Sequence, residues 1–338
     1  MSEWQTFCLK DLGKIVGGAT PPTNNPKNYG NKIAWITPKD LSTLQGCYIK
    51  KGSRSISRLG FKSCSTFLLP KHAILFSVRA PIGYVAIAKK RLCTNQGFKS
   101  IIPNKKIYFE FLYYLLKYHK DNISNIGGGT TFKEVSGATL GLFEVKIPPT
   151  YYEQQKIART LSILDQKIEN NHKINELLHT LAYKIYEYYF KYKPKNAKLE
   201  QIIIENPKSN IMVKNAQKTQ DKYPFFTSGD NILSYPKSII DGRNCFLNTG
   251  GNAGIKFYVG KASYSTDTWC ICANEFSDYL YLLLSSIKNH INQSFFQGTS
   301  LKHLQKNLLK KYPIYMPSAH EIKKFNQIMM PLLTLISI

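Results

Sequence analysis

Two short motifs combine backbone amides, hydroxyl groups and a lysine, which together could bind a phosphate. They are Gly129-Thr130-Thr131-Phe132-Lys133 and Gly298-Thr299-Ser300-Leu301-Lys302. If each motif opens a short helix, its free amides and hydroxyls suit a phosphate and the lysine adds positive charge. The residues predicted to contact phosphate are therefore Thr130, Thr131, Lys133, Thr299, Ser300 and Lys302. An ordinary N-cap on a packed helix explains the same pattern equally well.

Arginine and amide side chains in the predicted loops could read the edges of nucleic-acid bases. An arginine fork fits guanine, and an Asn or Gln amide fits adenine. By this chemistry the candidate base-reading residues are Arg54, Arg58, Arg79 and Arg243 for guanine, and Asn95, Gln96, Asn248 and Asn252 for adenine. Each of them could instead be a solvated loop residue, which is the common state of polar side chains.

The motifs of the enzymes that act on nucleic acids are absent from the sequence. No Gly-x-Gly-x-x-Gly occurs, and Gly127-Gly128-Gly129-Thr130-Thr131 lacks the Gly-Lys-Ser/Thr of a Walker motif. The string Asn206-Pro207-Lys208 lacks the second proline and the aromatic residue of an amino-methyltransferase loop. Among seven cysteines only Cys270-x-Cys272 approaches the spacing of metal ligands, and buried free thiols are the better interpretation. We expect no catalytic residue, no metal and no cofactor in this chain.

The two phosphate-binding motifs belong to a long internal repeat. Residues 111–168 and 279–336 follow one pattern at an offset of 168 or 169. Val145-Lys146-Ile147-Pro148 matches Ile314-Tyr315-Met316-Pro317, and further back Thr94-Asn95 aligns with Thr266-Asp267. A repeat of this length indicates a duplicated domain followed by a duplicated helix.

Each half of the chain mixes short strand-like runs with a helix, which is typical of an α+β domain. The predicted strands are Lys32–Ile36, Ala73–Val78, Tyr84–Ala88, Cys245–Leu247 and Ile255–Val259, and the predicted helices are Glu110–His119 and Asp278–Asn289.

A heptad pattern lies between the halves. From Ile157 to Tyr189 the apolar positions alternate spacings of four and three, with Asn171 and Asn175 in the middle. This pattern favours one strand of a coiled coil about 55–60 Å long, and a long helix packed on one domain's core is the alternative. The seam residues of the two copies are Ile157, Leu161, Leu164, Ile168, Leu178, Ile185, Phe325 and Leu332. The second copy is about half as long, and we expect Pro331 to interrupt it, at a cost of about 3 kcal/mol inside a regular helix.

The charge balance restricts the kinds of partner. The chain has 46 basic and 21 acidic residues, a net charge of +25, which suits nucleic acid, an acidic protein or an anionic membrane. No stretch reaches about 18 consecutive apolar residues, and the N-terminus has no basic segment leading into an apolar one. We therefore expect a cytoplasmic protein without a membrane partner.

With this organisation, the chain resembles the specificity subunits of type I restriction–modification systems and the similar specificity chains of type IIB systems. The resemblance covers nearly the whole chain. The residues that carry it are Trp4…Leu9-x-x-Leu12-Gly13, Gly18-Ala19-Thr20-Pro21, Ile33-Ala34-Trp35-Ile36-Thr37-Pro38-x-Asp40-Leu41, Ile147-Pro148-Pro149…Glu153-Gln154-Gln155-Lys156-Ile157 and Leu161-x-x-Leu164-Asp165-x-x-Ile168.

The resemblance implies a division of the chain into four segments. Residues 1–150 would form target-recognition domain 1, 151–193 the central conserved helix, 194–318 target-recognition domain 2 and 319–338 a short C-terminal conserved helix. The implied fold is α+β, with two similar target-recognition domains separated by long conserved helices that form an antiparallel coiled coil. The second copy departs from the family where Glu153-Gln154-Gln155 becomes Glu321-Ile322-Lys323.

The resemblance also implies a function and a set of partners. Each target-recognition domain would read one half of a bipartite site in double-stranded DNA, and the helices would set the gap. The helices would also dock two methyltransferase (modification) subunits, which hold S-adenosylmethionine, and translocating restriction subunits can join the complex.

A basic RNA-binding or ribosome-associated protein is the alternative function. The net charge supports it, as do the 22 Tyr and 18 Phe residues available for stacking on bases. A coiled-coil spacer is not needed for that role, and no aromatic-rich strand of the RNP type is visible.

Overall fold

The computed structural model describes residues 3–79, 81–129, 133–216 and 222–336. The chain forms two compact units, Met1–Asn171 and His172–Ile338, called unit 1 and unit 2 below. Each unit combines mainly antiparallel sheets with helices, which agrees with the predicted α+β class. In the described ranges, no helix combines the length and the apolar character needed to cross a bilayer.

Unit 1 is built on a five-stranded sheet, a three-stranded sheet and a separate strand pair. Its strands are β1 (Gln5–Cys8), β2 (Gly13–Gly17), β3 (Tyr29–Ile36), β4 (Tyr48–Ile49), β5 (Arg54–Ile56), β6 (Ile74–Val78), β7 (Ile82–Ala88), β8 (Cys93–Thr94), β9 (Lys99–Pro103) and β10 (Glu144–Ile147). The large sheet has the order β2-β9-β6-β7-β4, the small one has the order β5-β3-β8, and β1 pairs with β10. The predicted strands of this half lie within β3, β6 and β7, apart from Ala73.

The helices of unit 1 cover the large sheet and lead out of it. They are α1 (Leu9–Leu12), α2 (Pro38–Ser42), α3 (Arg58–Lys62), α4 (Phe109–Asn125), α5 (Gly137–Leu142) and α6 (Tyr151–Tyr186), whose C-terminal part belongs to unit 2. Helix α4 buries Phe111, Leu112, Leu115 and Leu116, so its apolar stripe closes the core over β6 and β7.

Unit 2 repeats this plan with strands that are on average shorter. Its strands are β11 (Ala197–Lys198), β12 (Ile204–Glu205), β13 (Tyr223–Phe226), β14 (Leu233–Tyr235), β15 (Arg243–Asn248), β16 (Ile255–Val259), β17 (Ser263–Tyr264), β18 (Thr268–Cys272), β19 (Phe296–Gln297), β20 (His303–Leu304) and β21 (Pro313–Ile314). Its helices are α7 (Val213–Ala216), α8 (Ser277–Ser286), α9 (Lys288–Ser294), α10 (Lys306–Lys310) and α11 (Ala319–Ile336). The predicted helix over Asp278–Asn289 is wrong in one respect, since it breaks at Ile287 into α8 and α9.

The two units share one topology, apart from β4, which extends only the large sheet of unit 1. In unit 2 the order β12-β18-β15-β16 corresponds to β2-β9-β6-β7, and the order β14-β13-β17 corresponds to β5-β3-β8. The pair β11-β21 corresponds to β1-β10, and in both small sheets the central strand is parallel to the last one. The duplication indicated by the sequence is therefore a duplication of the whole domain.

Helix α6 is anchored in unit 1 at its first turn. The Thr150 hydroxyl accepts from the Glu153 amide at 3.2 Å and donates to the Glu153 carboxylate at 3.0 Å, so Thr150 caps the start of the helix. The buried Gln154 amide accepts from the Tyr108 N–H at 2.8 Å and donates to the Lys106 and Pro148 carbonyls. These bonds fix the direction in which the helix leaves unit 1.

The other end of α6 is buried in unit 2. The helix continues as a π-helical turn over Glu187–Lys191, and Tyr186 and Phe190 lie in the core. The Phe190 ring lies 5.2 Å from the Tyr279 ring on α8 and 5.0 Å from the Phe325 ring on α11. Aromatic pairs at these distances stabilise a core beyond the area that they bury.

Helix α11 begins with a capping box between Ser318 and Glu321 and packs through one apolar stripe. The Ser318 amide and hydroxyl donate to the Glu321 carboxylate, and together with the Tyr315 hydroxyl they lower the pKa of Glu321 to about 2. Its buried residues are Ile322, Phe325, Met329 and Leu333.

The prediction that Pro331 interrupts this helix is wrong, because the helix runs to Ile336 with Pro331 on its exposed side. Proline has no backbone N–H, so the carbonyl oxygen one turn earlier loses its intrahelical hydrogen bond. On the exposed side of the helix this oxygen can bond to water instead.

The predicted seam of α6 is covered at its two ends and open in the middle. Ile157 packs on the unit 1 core and Ile185 on the unit 2 core, whereas Leu164 and Ile168 are 51% and 55% exposed. Leu178 is half-buried. In the second copy, Phe325 is buried and Leu332 packs against the core of unit 2.

Replacing Phe190 with alanine should lower the free energy of unfolding by about 3–5 kcal/mol, because it removes a buried ring and leaves a cavity. Urea denaturation followed by circular dichroism measures the change. The matched control is Tyr188→Ala in the same turn, where the side chain is 85% exposed, and its effect should stay within about 0.5 kcal/mol. Equal losses for the two variants would contradict this assignment.

Candidate nucleic-acid interface

Three segments of unit 1 are held side by side at the end of β6. The Val78 amide donates to the Gly97 carbonyl at 2.8 Å, and the Val78 carbonyl accepts from the Val135 amide at 3.0 Å. The turn that precedes β9 and the segment that follows the first Gly-Thr motif are thereby joined to one strand end. Gly128 and Glu134, which flank the first motif in the sequence, form an antiparallel bridge.

Unit 2 has the same arrangement at the end of β15. The Thr249 amide donates to the Asp267 carbonyl at 3.2 Å, and the Thr249 carbonyl accepts from the Leu304 amide at 3.0 Å. Gln297 pairs with His303, as Gly128 pairs with Glu134, at an offset of 169. The segments that flank the two Gly-Thr motifs therefore have equivalent positions. We call the loops that meet at Val78 in unit 1 and at Thr249 in unit 2 the loop clusters of the two units.

The second Gly-Thr motif is a hairpin turn, and the prediction that it opens a helix is wrong. Gly298 through Lys302 connect β19 to β20, and the next helix, α10, starts only at Lys306. A side chain at Gly298 would meet the Leu301 carbonyl at 2.3 Å, and its φ of 143° is one that glycine adopts readily. The turn exposes Thr299, Ser300 and Lys302, so their hydroxyls and charge are accessible without a helix N-terminus.

The first Gly-Thr motif also precedes its helix. Helix α5 begins at Gly137, with Ser136 as its cap, whereas Lys133 lies outside the helix and is exposed. Thr130 and Thr131 lie outside the described residues. The predicted phosphate contacts of both motifs stay predictions.

The structure brings Asn95 and Gln96 into the loop cluster of unit 1. The Asn95 side-chain oxygen accepts from the Gly97 amide at 3.0 Å, and the exposed Gln96 accepts from the Thr20 hydroxyl. Thr20 was not predicted as a site residue. Both amides keep their NH2 groups for a further partner, because only their oxygens are used in these bonds.

The alignment of Thr94-Asn95 with Thr266-Asp267 is wrong by two residues. The Asn95 amide donates to the Ile36 carbonyl, and in unit 2 the Ser265 amide donates to the Phe226 carbonyl. Asp267 therefore occupies the position of Gly97. The hydroxyls of Ser228 and Thr249, which the sequence analysis missed, both donate to the Asp267 carbonyl and hold this turn.

Arg79 lies in the loop cluster of unit 1 but is already paired. Its guanidinium donates to the Glu134 carboxylate at 2.8 Å, and the two side chains are 42% and 38% exposed. Its Nε is buried without a hydrogen-bond partner among the described residues. Reading a base would require Arg79 to share or leave Glu134.

Arg54 and Arg58 are exposed residues of the small sheet region. Arg54 pairs with Trp35 across β5 and β3, and its guanidinium lies 5.8 Å from the centre of the Tyr29 ring. Arg58 begins α3. Their exposure leaves both guanidinium groups accessible to a partner.

The prediction that Arg243 reads a base is contradicted by its position. Its side chain is 16% exposed and forms a two-point ion pair with Asp278, which is 1% exposed. The same guanidinium donates to the Thr334 hydroxyl at 3.0 Å and to the Met330 carbonyl at 3.2 Å, both on α11. Burial raises the pKa of Asp278, and the arginine opposes this shift. Arg243 therefore ties α8 and α11 to β15.

Asn248 is also a structural residue, contrary to the prediction, whereas Asn252 is exposed. The buried Asn248 amide donates to the Asn252 carbonyl at 3.1 Å and accepts from the Lys256 ammonium at 3.4 Å. Burial lowers the pKa of Lys256. A side chain at Gly254 would lie 2.3 Å from the Asn248 nitrogen, so the β15–β16 turn closes tightly around this amide.

The cysteines do not form a metal site in the described part of the chain. No cluster of His, Cys, Asp and Glu there could hold a metal ion. Burial raises the pKa of the Cys245 and Cys270 thiols, which keeps both in the neutral form.

The fold and the loop clusters define a class of protein in which two copies of one α+β domain are connected through a long helix. The family profile for the type I restriction modification DNA specificity domain matches this chain twice, over residues 1–180 and 195–338. The chain belongs to this family. Its predicted fold class is therefore confirmed, and none of the matches reported below supports the RNA-binding alternative.

Three curated relatives illustrate the range of similarity. The type I restriction enzyme MjaIX specificity subunit of Methanocaldococcus jannaschii is 46% identical over 191 residues, which cover 56% of this chain and 44% of the relative. The HindI specificity subunit of Haemophilus influenzae is 30% identical over 177 residues, covering 50% of this chain and 37% of the relative. A putative type I specificity subunit of Mycoplasma genitalium is 24% identical over 294 residues, covering 81% and 72%. The chain thus spans less than half the length of the first two relatives.

A solved structure supports the fold over the full length. The crystal structure of a type I restriction–modification S subunit from M. genitalium superposes with a TM-score of 0.63 at 17% identity. The superposition covers 99% of this chain and 90% of that one.

Replacing Arg243 with alanine should lower the free energy of unfolding by about 3–5 kcal/mol, because Asp278 stays buried without its partner. Guanidinium denaturation measures the loss. The control is Arg58→Ala, an exposed arginine whose removal should cost less than about 0.5 kcal/mol. An Arg243 variant of unchanged stability and altered base preference would show that Arg243 reads a base and is not a structural residue.

Proposed function

We propose that this chain is the DNA-recognition subunit of a restriction–modification complex. Each globular unit reads one half of a bipartite site in double-stranded DNA, and the long helix sets the gap between the halves. The observation that carries the proposal is the pair of equivalent loop clusters, one in each unit, on a chain with a net charge of +25.

The chemistry of the loop clusters supports binding to DNA. The exposed lysines Lys133 and Lys302 lie in equivalent loops and can neutralise phosphates. Gln96 and Asn252 are exposed amides, Asn95 keeps its NH2 group for a partner, and Arg54 and Arg58 are exposed guanidinium groups, so these five side chains remain candidates for reading bases. Arg79 is a candidate only if it shares or leaves Glu134.

The open middle of α6 supports a role for the helix as a docking surface. Leu164 and Ile168 are exposed, and an apolar stripe of this kind on a helix is suited to packing against another protein. In the proposed complex two methyltransferase (modification) subunits dock on the helical part of the chain. Translocating restriction subunits then join to cut DNA.

Catalysis belongs to the partner subunits in this proposal. The methyltransferase subunits hold S-adenosylmethionine and carry the methyl-transfer site, whereas this chain is non-catalytic and binds no cofactor. The complex works in the cytoplasm, where the DNA is.

The experiment that tests the function is a selection of DNA from a randomised library. The chain is purified with the methyltransferase subunits of its own system, and bound duplexes are sequenced after washing at near-physiological salt. We expect two short sequence blocks separated by a fixed gap. A single block, or binding without a motif that only fades as salt rises, would contradict the proposal, and the second result would favour the RNA-binding alternative.

Matched variants in this selection assign the blocks to the units. Gln96→Ala should relax one position of one block by about 1–3 kcal/mol, and Asn252→Ala should do so in the other block. Lys302→Ala is the control, because loss of a phosphate contact should weaken binding to all sequences and lower the salt slope by about one.

Inserting one heptad into residues 168–182 should lengthen the gap and leave the two blocks unchanged. Seven residues add about 10.5 Å, or about 3 base pairs, and nearly preserve the face of the helix. The same library selection measures the result. Changed blocks with an unchanged gap would exclude the helix as the spacer.

A further inference from the structure

The loop that follows β2 is fixed to the body of unit 1 at its start. The Ala19 amide donates to the Thr94 carbonyl at 3.1 Å, and the Ala19 carbonyl accepts from the Trp35 indole N–H at 3.0 Å. The preceding residue must be a glycine, because a side chain at Gly18 would lie 2.3 Å from the Thr94 carbonyl oxygen. Residues 18–22 are called the strap loop below.

The end of the strap loop is fixed by two bonded prolines. The Pro21 carbonyl accepts from the Tyr29 hydroxyl at 3.1 Å, and the Pro22 carbonyl accepts from the Asn28 side-chain amide at 2.9 Å. Pro21 also restricts the residue before it to an extended backbone. Thr20 therefore lies between bonded neighbours on both sides, so the place of its hydroxyl on the surface of unit 1 is fixed.

The backbone around Gln96 is fixed in the same way. The Asn95 amide donates to the Ile36 carbonyl at 3.0 Å, and the Asn95 side-chain oxygen accepts from the Gly97 amide at 3.0 Å. Only the side chain of Gln96, which is exposed, remains free to turn. One bond holds it, in which the Thr20 hydroxyl donates to the Gln96 Oε1.

This bond determines which end of the Gln96 amide is available to a base. A free amide can turn by 180° and present either its oxygen as an acceptor or its NH2 group as a donor. With Oε1 bonded to Thr20, the NH2 group is the available donor and Oε1 keeps one lone pair. Adenine fits this pair of groups, because its N7 accepts and its N6 donates. Cytosine offers only the N4 donor in the major groove, so it gives the NH2 group no partner.

The corresponding residue of unit 2 has a different chemistry. Since Ser265 occupies the position of Asn95, Gln96 corresponds to Thr266. The Thr266 hydroxyl lies 3.5 Å from the carboxylate of the next residue, Asp267. A held glutamine amide is therefore a feature of unit 1.

We propose that Thr20 is a positioning residue that holds Gln96 as a hydrogen-bond donor. Unit 1 then favours adenine and rejects cytosine at the base that Gln96 contacts. The rigid strap loop gives this preference its sharpness, because a hydroxyl that could move would let the amide turn. The inference rests on the proposed recognition of DNA and adds to it a residue that sets the preference without touching a base.

The test is the same selection of duplexes from a randomised library, carried out with Thr20→Val in the complex. This substitution keeps the branched shape of the side chain and removes its hydroxyl. We expect the preference at the one position that Gln96→Ala identifies to fall by about tenfold, with cytosine now accepted there. The other positions of that block, the second block and the melting temperature should stay unchanged.

Two further variants are matched to Thr20→Val. Thr20→Ser keeps a hydroxyl and should restore the preference. Thr23→Val changes an exposed threonine just after the strap loop, whose side chain has no hydrogen-bond partner in the described part of the chain, and it should leave the selected motif unchanged. A loss spread over the whole block, or a lower melting temperature, would show that Thr20 only supports the fold, and would overturn the proposal.

A double variant shows whether Thr20 acts through Gln96. In a chain that carries Gln96→Ala, adding Thr20→Val should change the motif no further. A further loss would make Thr20 a direct contact and overturn the proposal, as would an unchanged preference in the single variant. In both cases the proposed function stands, provided that the unchanged chain selects two blocks. If the unchanged chain selects none, the proposed function and this inference fail together.

Discussion

The burial of the aromatic end of α6 in unit 2 is the interaction on which the second repeat depends. Tyr186 and Phe190 contribute rings to the same core as α8 and α11. The helix is therefore part of the hydrophobic core of unit 2 and not a tether attached to it. At its other end the Gln154 amide serves an equivalent purpose in unit 1 by hydrogen bonding to three backbone groups. A helix fixed at both ends can expose an apolar middle without losing its direction.

The first turns of α6 and α11 pack on their units through different side chains. Gln154 on α6 corresponds to Ile322 on α11, so a buried amide network in one unit is replaced by simple apolar packing in the other. In unit 2, Arg243 also holds α11 in place. Its ion pair with Asp278 is buried, so loss of either partner would leave a buried charge without its partner. The backbone bonds at the loop clusters are the part that both units retain.

The sequence predicted what depends on periodic patterns. Alternation identified β3, β6, β7, β15 and β16, and the heptad spacing identified α6 and the shorter second helix. The sequence could not show that the second Gly-Thr motif makes a hairpin, because small polar residues and glycine occur both in helix caps and in turns. It misplaced Arg243, because the partner that buries it, Asp278, is remote in sequence. The alignment of Thr94-Asn95 with Thr266-Asp267 was wrong by two residues because the loops that precede β8 and β17 differ in length. Only the hydrogen bonds in the structure show which residues of the two units correspond.

The way the loop clusters are held bears on how such a protein can change over evolutionary time. The bonds from Val78 to Gly97 and Val135, and from Thr249 to Asp267 and Leu304, join main-chain atoms only. Because the main chain is common to all residues except proline at its nitrogen, exposed side chains in these loops can be exchanged without breaking the bonds that position them. The main-chain bonds thus preserve the shape of the loops. Substitution of exposed side chains at the loop tips can change what the loops bind while the domain stays folded.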